Sequence, residues 1–253
     1  MTGAASKTIS PDQYDAWLFD LDGVVTDTAS IHSAAWKESF DIFLKKVADR
    51  DGTDFVPFDI ETDYYVYVDG KPRYDGVDSF LRSRGIELPW GTPEDGPDEE
   101  TVCGVGNKKN ALFNEIIKER SPDIFDSSVA LIRELKAKGV RLAVVSSSKN
   151  CGPILKISKL DDLFEEQMDG LVAAERGLPG KPEPDTFIAA AEDMGVDVSR
   201  AVVIEDAISG VQAGRSGNFG LVIGIARHDE PQALLDNGAD IVVQDMAEIT
   251  ITD

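Results

Sequence analysis

The sequence is poor in cysteine, poor in basic side chains and free of long apolar runs, and each shortage excludes something. Cys103 and Cys151 are its only cysteines in 253 residues. Two are too few for a disulfide framework and have no zinc-site spacing around them, so both are expected to be reduced thiols. Twenty-five Lys and Arg stand against 47 Asp and Glu, a formal charge of −22. That field repels a phosphate backbone and an anionic bilayer, so neither nucleic acid nor membrane is expected as a partner. An anionic substrate would need local basic residues to overcome it. No apolar run approaches the roughly 18 residues of a membrane span, and the first 16 residues lack the apolar stretch of a secretory signal. A cytoplasmic monomer is the expectation. Internal repeats and low-complexity tracts are also missing. So is a GxxxxGK[ST] loop, which disfavours an ATP-dependent kinase, and Gly104-Val105-Gly106 is too short for a nucleotide fingerprint.

What is present has the period of an α/β protein. Hydrophobic residues make up 42% of the chain, enough for a substantial interior. Short, mostly β-branched runs at 17–19, 141–145, 201–204, 221–225 and 241–243 end in polar residues and read as buried parallel strands. Segments 127–138 and 184–194, closed by Gly139 and Gly195, have helical periodicity. The alternation predicts a Rossmann-like parallel sheet with helices on both faces, whose ligands bind beyond the carboxyl ends of the strands. The interval between the first and second strands is too long for one crossover. It holds a helical stretch at 32–46, an aromatic, turn-rich stretch at 63–76 and an acidic loop at 91–100. A core domain of residues 1–30 and 120–253 carrying an inserted α-helical cap at 31–119 is therefore expected, with hinges at 26–30 and 118–123.

The strand ends carry the chemistry. After the first comes Asp20-Leu21-Asp22-Gly23, two carboxylates two residues apart on the same side of the chain, able to share a cation or to divide nucleophilic and acid/base roles. After the second comes Ser146-Ser147-Ser148-Lys149-Asn150, a set of hydroxyl, ammonium and amide donors suited to phosphate oxygens. Glu205-Asp206 follows the third and can complete an oxygen-ligand set for Mg²⁺. Lys181 lies between them in a proline-braced loop, Gly180-Lys181-Pro182-Glu183-Pro184. Alone, each has a bland reading: a solvated turn, a serine-rich turn, an acidic strand end, a surface lysine. Together, in chain order, they are far more specific.

These segments resemble the signature motifs of the haloacid dehalogenase superfamily and, more narrowly, its β-phosphoglucomutase branch. His32, Trp36, Gly70, Arg73 and Lys109-Asn110 in the insert, and the run from Glu205 to Gly214, extend the resemblance over most of the chain. It implies an enzyme in which Asp20 is the nucleophile that becomes phosphorylated and Asp22 the general acid and base. Ser146 and Lys181 would hold the transferring group. Mg²⁺ would sit on Asp20, the Asp22 backbone carbonyl, Glu205 and Asp206. His32, Trp36, Gly70, Arg73, Lys109, Ser147, Ser148, Lys149 and Asn150 would bind a sugar phosphate, the small-molecule partner. The implied reaction converts β-glucose 1-phosphate to glucose 6-phosphate. A sugar-phosphate phosphatase is the alternative, and a non-catalytic sugar-phosphate-binding protein a remote one. A dehalogenase would have no need of Asp22. One position departs from the branch: where it usually carries a lysine beside Gly70, this chain has Asp69, and Lys71 is the nearest substitute.

Overall fold

The computed structural model describes residues 7–119, 122–227 and 231–252. They form two compact units, Met1–Asp27 with Pro122–Asp253, and Thr28–Ser121. The second expected hinge includes Arg120 and Ser121, which lie outside the described residues.

In the first unit the described strands are, in chain order, β1 (Lys7–Ile9), β2 (Ala16–Phe19), β3 (Thr26–Asp27), β4 (Asp123–Ile124), β5 (Arg141–Val145), β6 (Glu166–Met168), β7 (Ala201–Glu205), β8 (Leu221–Ile225), β9 (Ile241–Val243) and β10 (Ile249–Ile251). Six of them make one parallel sheet in the order β6-β5-β2-β7-β8-β9. From the central strand β2 the chain builds outward on one side through β5 and β6, then on the other through β7, β8 and β9. Strand order thus reverses beside β2, and a crevice at the carboxyl ends of such a sheet opens at that reversal. Ala16, Leu18, Ala143, Val145, Ala201 and Val203 share one face with Phe187, Ala190 and Val211 of the helices Asp185–Asp193 and Ile208–Ser216. The alternating residues Trp17, Phe19, Leu142, Val144, Val202 and Ile204 point to the opposite face and are equally buried. Both faces are therefore covered, which is why these strands read as unbroken apolar runs rather than alternating ones. Two small pairings complete the unit: β1 lies parallel to β10, and β3 antiparallel to β4.

The second unit is helical, with long helices at Ala29–Asp51 and Val102–Glu119, a shorter one at Arg73–Ser83, and single turns at Ile60–Tyr64 and Tyr65–Tyr67. Its core is aromatic. Phe40 stacks on Trp36 and Phe58 at 5.1 and 5.0 Å between ring centres, and Phe80 closes against Phe40 and Phe58 at 4.3 and 4.9 Å. Phe58 enters from an irregular segment, so its backbone needs side-chain partners: its N–H donates to Asp41 and its carbonyl accepts from Lys37. The acidic loop at 91–100 is ordered by the Asp95 carboxylate, which accepts from Thr92 and Thr101, while Glu100 pairs with Lys46 and Arg50.

Candidate active site

Asp20 is the first residue past β2, and its N–H still donates to the Ile204 carbonyl, extending the ladder by one step. Ser146 follows β5 in the same way, donating to the Met168 carbonyl. Glu205 ends β7 and Asp206 follows it. Because the three strands are adjacent and in register, their tips bring these groups together. Asp20, Glu205 and Asp206 each offer an oxygen within 4.8 Å of the others.

Lys181 joins the cluster from the loop ahead of the helix Asp185–Asp193. Its ammonium donates to Asp20 Oδ1 and Glu205 Oε1, both at 2.5 Å, and to the Val145 carbonyl at 3.0 Å. All three of its protons are thereby used, as burial at 2% exposure demands. Burial pulls this amine's pKa down, but Asp20 and Glu205 outweigh that and hold it raised, so the ammonium stays charged. Glu205 is equally satisfied, its Oε2 accepting from the N–H groups of Asp206 and Ala207. Asp20 is different. Burial raises its carboxyl well above the ordinary 3.8, with Glu205 and Asp22 adding to the rise against the pull of Lys181. The Asp20 carboxylate, opposed by burial and by its acidic neighbours, stands with Glu205 and Asp206 in an oxygen-ligand set that fits a divalent cation, whose charge would offset both effects.

Two glycines make room for this geometry. Gly23 has a left-handed backbone (φ +89°), and a Cβ there would fall 1.8 Å from Asp206 Oδ2. Gly210 lies under Glu205, with 1.8 Å from its would-be Cβ to Oε1. Neither position can take a larger residue without moving an acidic side chain. Asp22 bridges to Thr26 within the tight turn that Gly23 permits, in which the Gly23 N–H donates to the Thr26 carbonyl and the Val25 and Thr26 N–H groups donate to Leu21. On the facing loop the hydroxyls of Ser146 and Ser148 accept from the N–H groups of Ser148 and Asn150. Ser147, Ser148, Lys149 and Asn150 are half-buried there. Asp169 and Gly170, after β6, back this loop: the Gly170 N–H donates to the Ser148 carbonyl, and Asp169 caps the following helix and accepts from Gln167.

In the helical unit, Lys109 is buried at 4% exposure, 2.7 Å from His32 Nδ1 and over the rings of Trp36 and Phe113 at 5.0 and 4.8 Å. Arg73 donates to Asn110 Oδ1 at 2.8 Å, and burial lowers its pKa from the ordinary value, Tyr74 opposing. Gly70 adopts a left-handed turn (φ +69°) just before them. Lys71 gives its ammonium to Ser79 Oγ at 3.0 Å and the Val66 carbonyl at 3.4 Å, within its own unit. It therefore does not stand free in place of the missing lysine.

Arg227 had no place among the sequence candidates. It follows β8, donates through Nε to the Gly23 carbonyl at 2.7 Å and lies over the ring of Phe125 at 3.6 Å. A signal was available, since it is the first charged residue past the fourth apolar run, but it belongs to none of the motif segments.

The chain belongs to the haloacid dehalogenase-like hydrolase family, whose model matches residues 14–218. Within that class it is 48% identical to a β-phosphoglucomutase of Mycobacterium bovis over 94% of this chain and 92% of that protein. A β-phosphoglucomutase of Bacillus subtilis is 31% identical over 93% and 92%. Among solved structures, a β-phosphoglucomutase from Clostridium difficile superposes with a TM-score of 0.72 at 25% identity, covering 92% of each chain. Among the described residues no helix is long and apolar enough to cross a membrane.

Proposed function

We propose that the chain is a Mg²⁺-dependent phosphotransferase that converts β-glucose 1-phosphate to glucose 6-phosphate through an aspartyl phosphate. The observation that carries this is the Lys181 ammonium bridging buried Asp20 and Glu205 beside Asp206 at the tips of three adjacent strands. The similarity to β-phosphoglucomutases from three genera supports the substrate.

Asp20 Oδ attacks phosphorus in line, while Asp22 donates a proton to the leaving oxygen and later withdraws one from the acceptor hydroxyl. Lys181 and the Ser146 hydroxyl hold the transferring oxygens and stabilise their growing charge. Asp20, Asp206 and the Asp22 carbonyl would hold Mg²⁺, with Glu205, whose oxygens already have partners, reaching it through water. The ion supplies charge neutralisation between nucleophile and phosphate, whose repulsion at about 4 Å and an effective dielectric of about 20 is about 4 kcal/mol.

We assign Thr28–Ser121 the role of cap domain. Arg73, Ser148, Lys149 and Asn150 would grip the second phosphate of a bisphosphate intermediate, with His32, Trp36, Gly70, Lys109 and Ser147 around the sugar. The setting is taken to be the cytoplasm and the working unit a monomer. Asp69, together with the internal bonding of Lys71, favours a second reading in which water replaces the sugar hydroxyl as acceptor and the enzyme is a sugar-phosphate phosphatase. One assay separates them. With Mg²⁺ and a trace of glucose 1,6-bisphosphate, β-glucose 1-phosphate should give glucose 6-phosphate. Stoichiometric inorganic phosphate instead would select the phosphatase.

A further inference from the structure

Arg227 is costly to keep where it is. Its side chain is only 13% exposed. Burial pulls the guanidinium's pKa down, and only the nearby charges of Asp206, Asp245 and Asp27 oppose that. Arginine does not shed its proton, so a fixed cation is held at low exposure with no bidentate carboxylate to receive it. Asp245 stands 3.9 Å from Nη1, too far for a hydrogen bond, and Nη2 has no hydrogen-bond partner among the described residues. What the guanidinium does engage is the nucleophile loop. Nε donates to the carbonyl of Gly23, the residue at which a Cβ would collide with the Asp206 carboxylate. The plane stacks on Phe125, whose own N–H donates to Val25 in the same turn.

We propose that Arg227 is a positioning residue, clamping the Gly23 carbonyl against Phe125 and so fixing the turn that sets Asp20 and Asp206 at cation-binding separation. The inference deepens the phosphotransferase reading and rests on it. Arg227 touches no reacting atom in this role. Two effects oppose each other. A cation beside an acidic cluster weakens Mg²⁺ binding by repulsion, whereas a fixed loop strengthens it by holding the ligands in place. Position wins, because the 2.7 Å bond acts directly on the loop, while the charge is divided among Asp206, Asp245 and Asp27.

The experiment measures Mg²⁺ binding by calorimetric titration of the metal-stripped full chain, thermal midpoints, and kcat and KM on β-glucose 1-phosphate, for the parent, R227A and R227K. A group that orients metal ligands is worth about 10- to 100-fold in affinity or activity. R227A should therefore weaken Mg²⁺ binding about tenfold and lower kcat by a similar factor, with KM changed less than about threefold. R227K, whose ammonium can reach the same carbonyl, should recover part of both losses. Unchanged or tighter Mg²⁺ binding in R227A would overturn the proposal, as would a loss of kcat that disappears below the variant's thermal transition. The metal titration needs no substrate. A parent that binds Mg²⁺ but transfers phosphate on no sugar would sink the phosphotransferase reading alone and leave the role of Arg227 to be decided by R227A's metal affinity. A parent that binds no Mg²⁺ would sink both.

Discussion

The two units of this chain solve the problem of holding side chains in place by different means. In the sheet unit the shared face is packed with small and medium aliphatic groups, among them Ala16, Ala143, Val145, Ala201 and Val203, and position is set by the backbone ladder. In the helical unit no ladder exists among the described residues, and the helices are held by the aromatic cluster of Trp36, Phe40, Phe58 and Phe80. The comparison teaches where each kind of task belongs. Of the groups proposed to meet phosphorus, Asp20 and Ser146 sit at strand tips, where register fixes them, while Lys181 comes from a loop and is held by its bonds to Asp20, Glu205 and the Val145 carbonyl. Of the groups proposed for recognition, His32, Trp36, Arg73 and Lys109 sit on helices, where packing decides, while Ser147, Ser148, Lys149 and Asn150 occupy the loop after β5.

Five variants test that division, the strongest first. Asp20→Asn should lower turnover by about 10⁴-fold or more on any phosphate ester while both units keep their circular dichroism and thermal midpoint. Substantial residual activity would remove Asp20 from its role. Phe80→Ala opens the middle of the aromatic cluster and should cost about 3–5 kcal/mol in urea unfolding. If the helical unit were held mainly by its surface ion pairs, the cost would be under about 1 kcal/mol. Gly23→Ala forces both a strained φ and a collision with Asp206, so turnover should fall about 100-fold, equivalent to about 2.7 kcal/mol. Gly139→Ala is the matched control: its φ is +79° but nothing stands within 4 Å, so it should lower stability by about 1–2 kcal/mol and leave turnover alone. Arg73→Ala should act on recognition rather than on chemistry. It should lower kcat/KM for a bisphosphate by about 10- to 100-fold, as for loss of a charged hydrogen bond, and barely alter hydrolysis of a small monophosphate ester.

Much of the sheet was legible because both of its faces are buried. Runs such as Val202-Val203-Ile204 announce themselves when every residue is apolar, and the polar residue after each run is then a site candidate. β6 escaped for the opposite reason. Glu166-Gln167-Met168 lies at the edge of the sheet with two polar residues half-buried, so it has no apolar signature. The helices expected at 127–138 and 184–194 appear as Asp126–Ala137 and Asp185–Asp193, their ends shifted by the capping geometry. Lys181, Asp20, Glu205 and Asp206 were readable as types and positions. Their mutual bonding was not, since a loop lysine pairing with an acid 161 residues earlier is fixed only by tertiary packing. For the same reason the sequence could not tell that Lys71 turns toward Ser79, or that Arg227 reaches back 204 residues to Gly23.

The short antiparallel pair β3 and β4 sets the chain entering the helical unit beside the chain leaving it, Thr26 opposite Ile124 and Asp27 opposite Asp123. Partners in such a pair lie about 5 Å apart, a gap that a hairpin turn can close. The ninety-odd residues between them are thus topologically a side branch, threaded through a single doorway. A lineage could enlarge, shrink or exchange that branch without rewriting a residue of the six-stranded sheet.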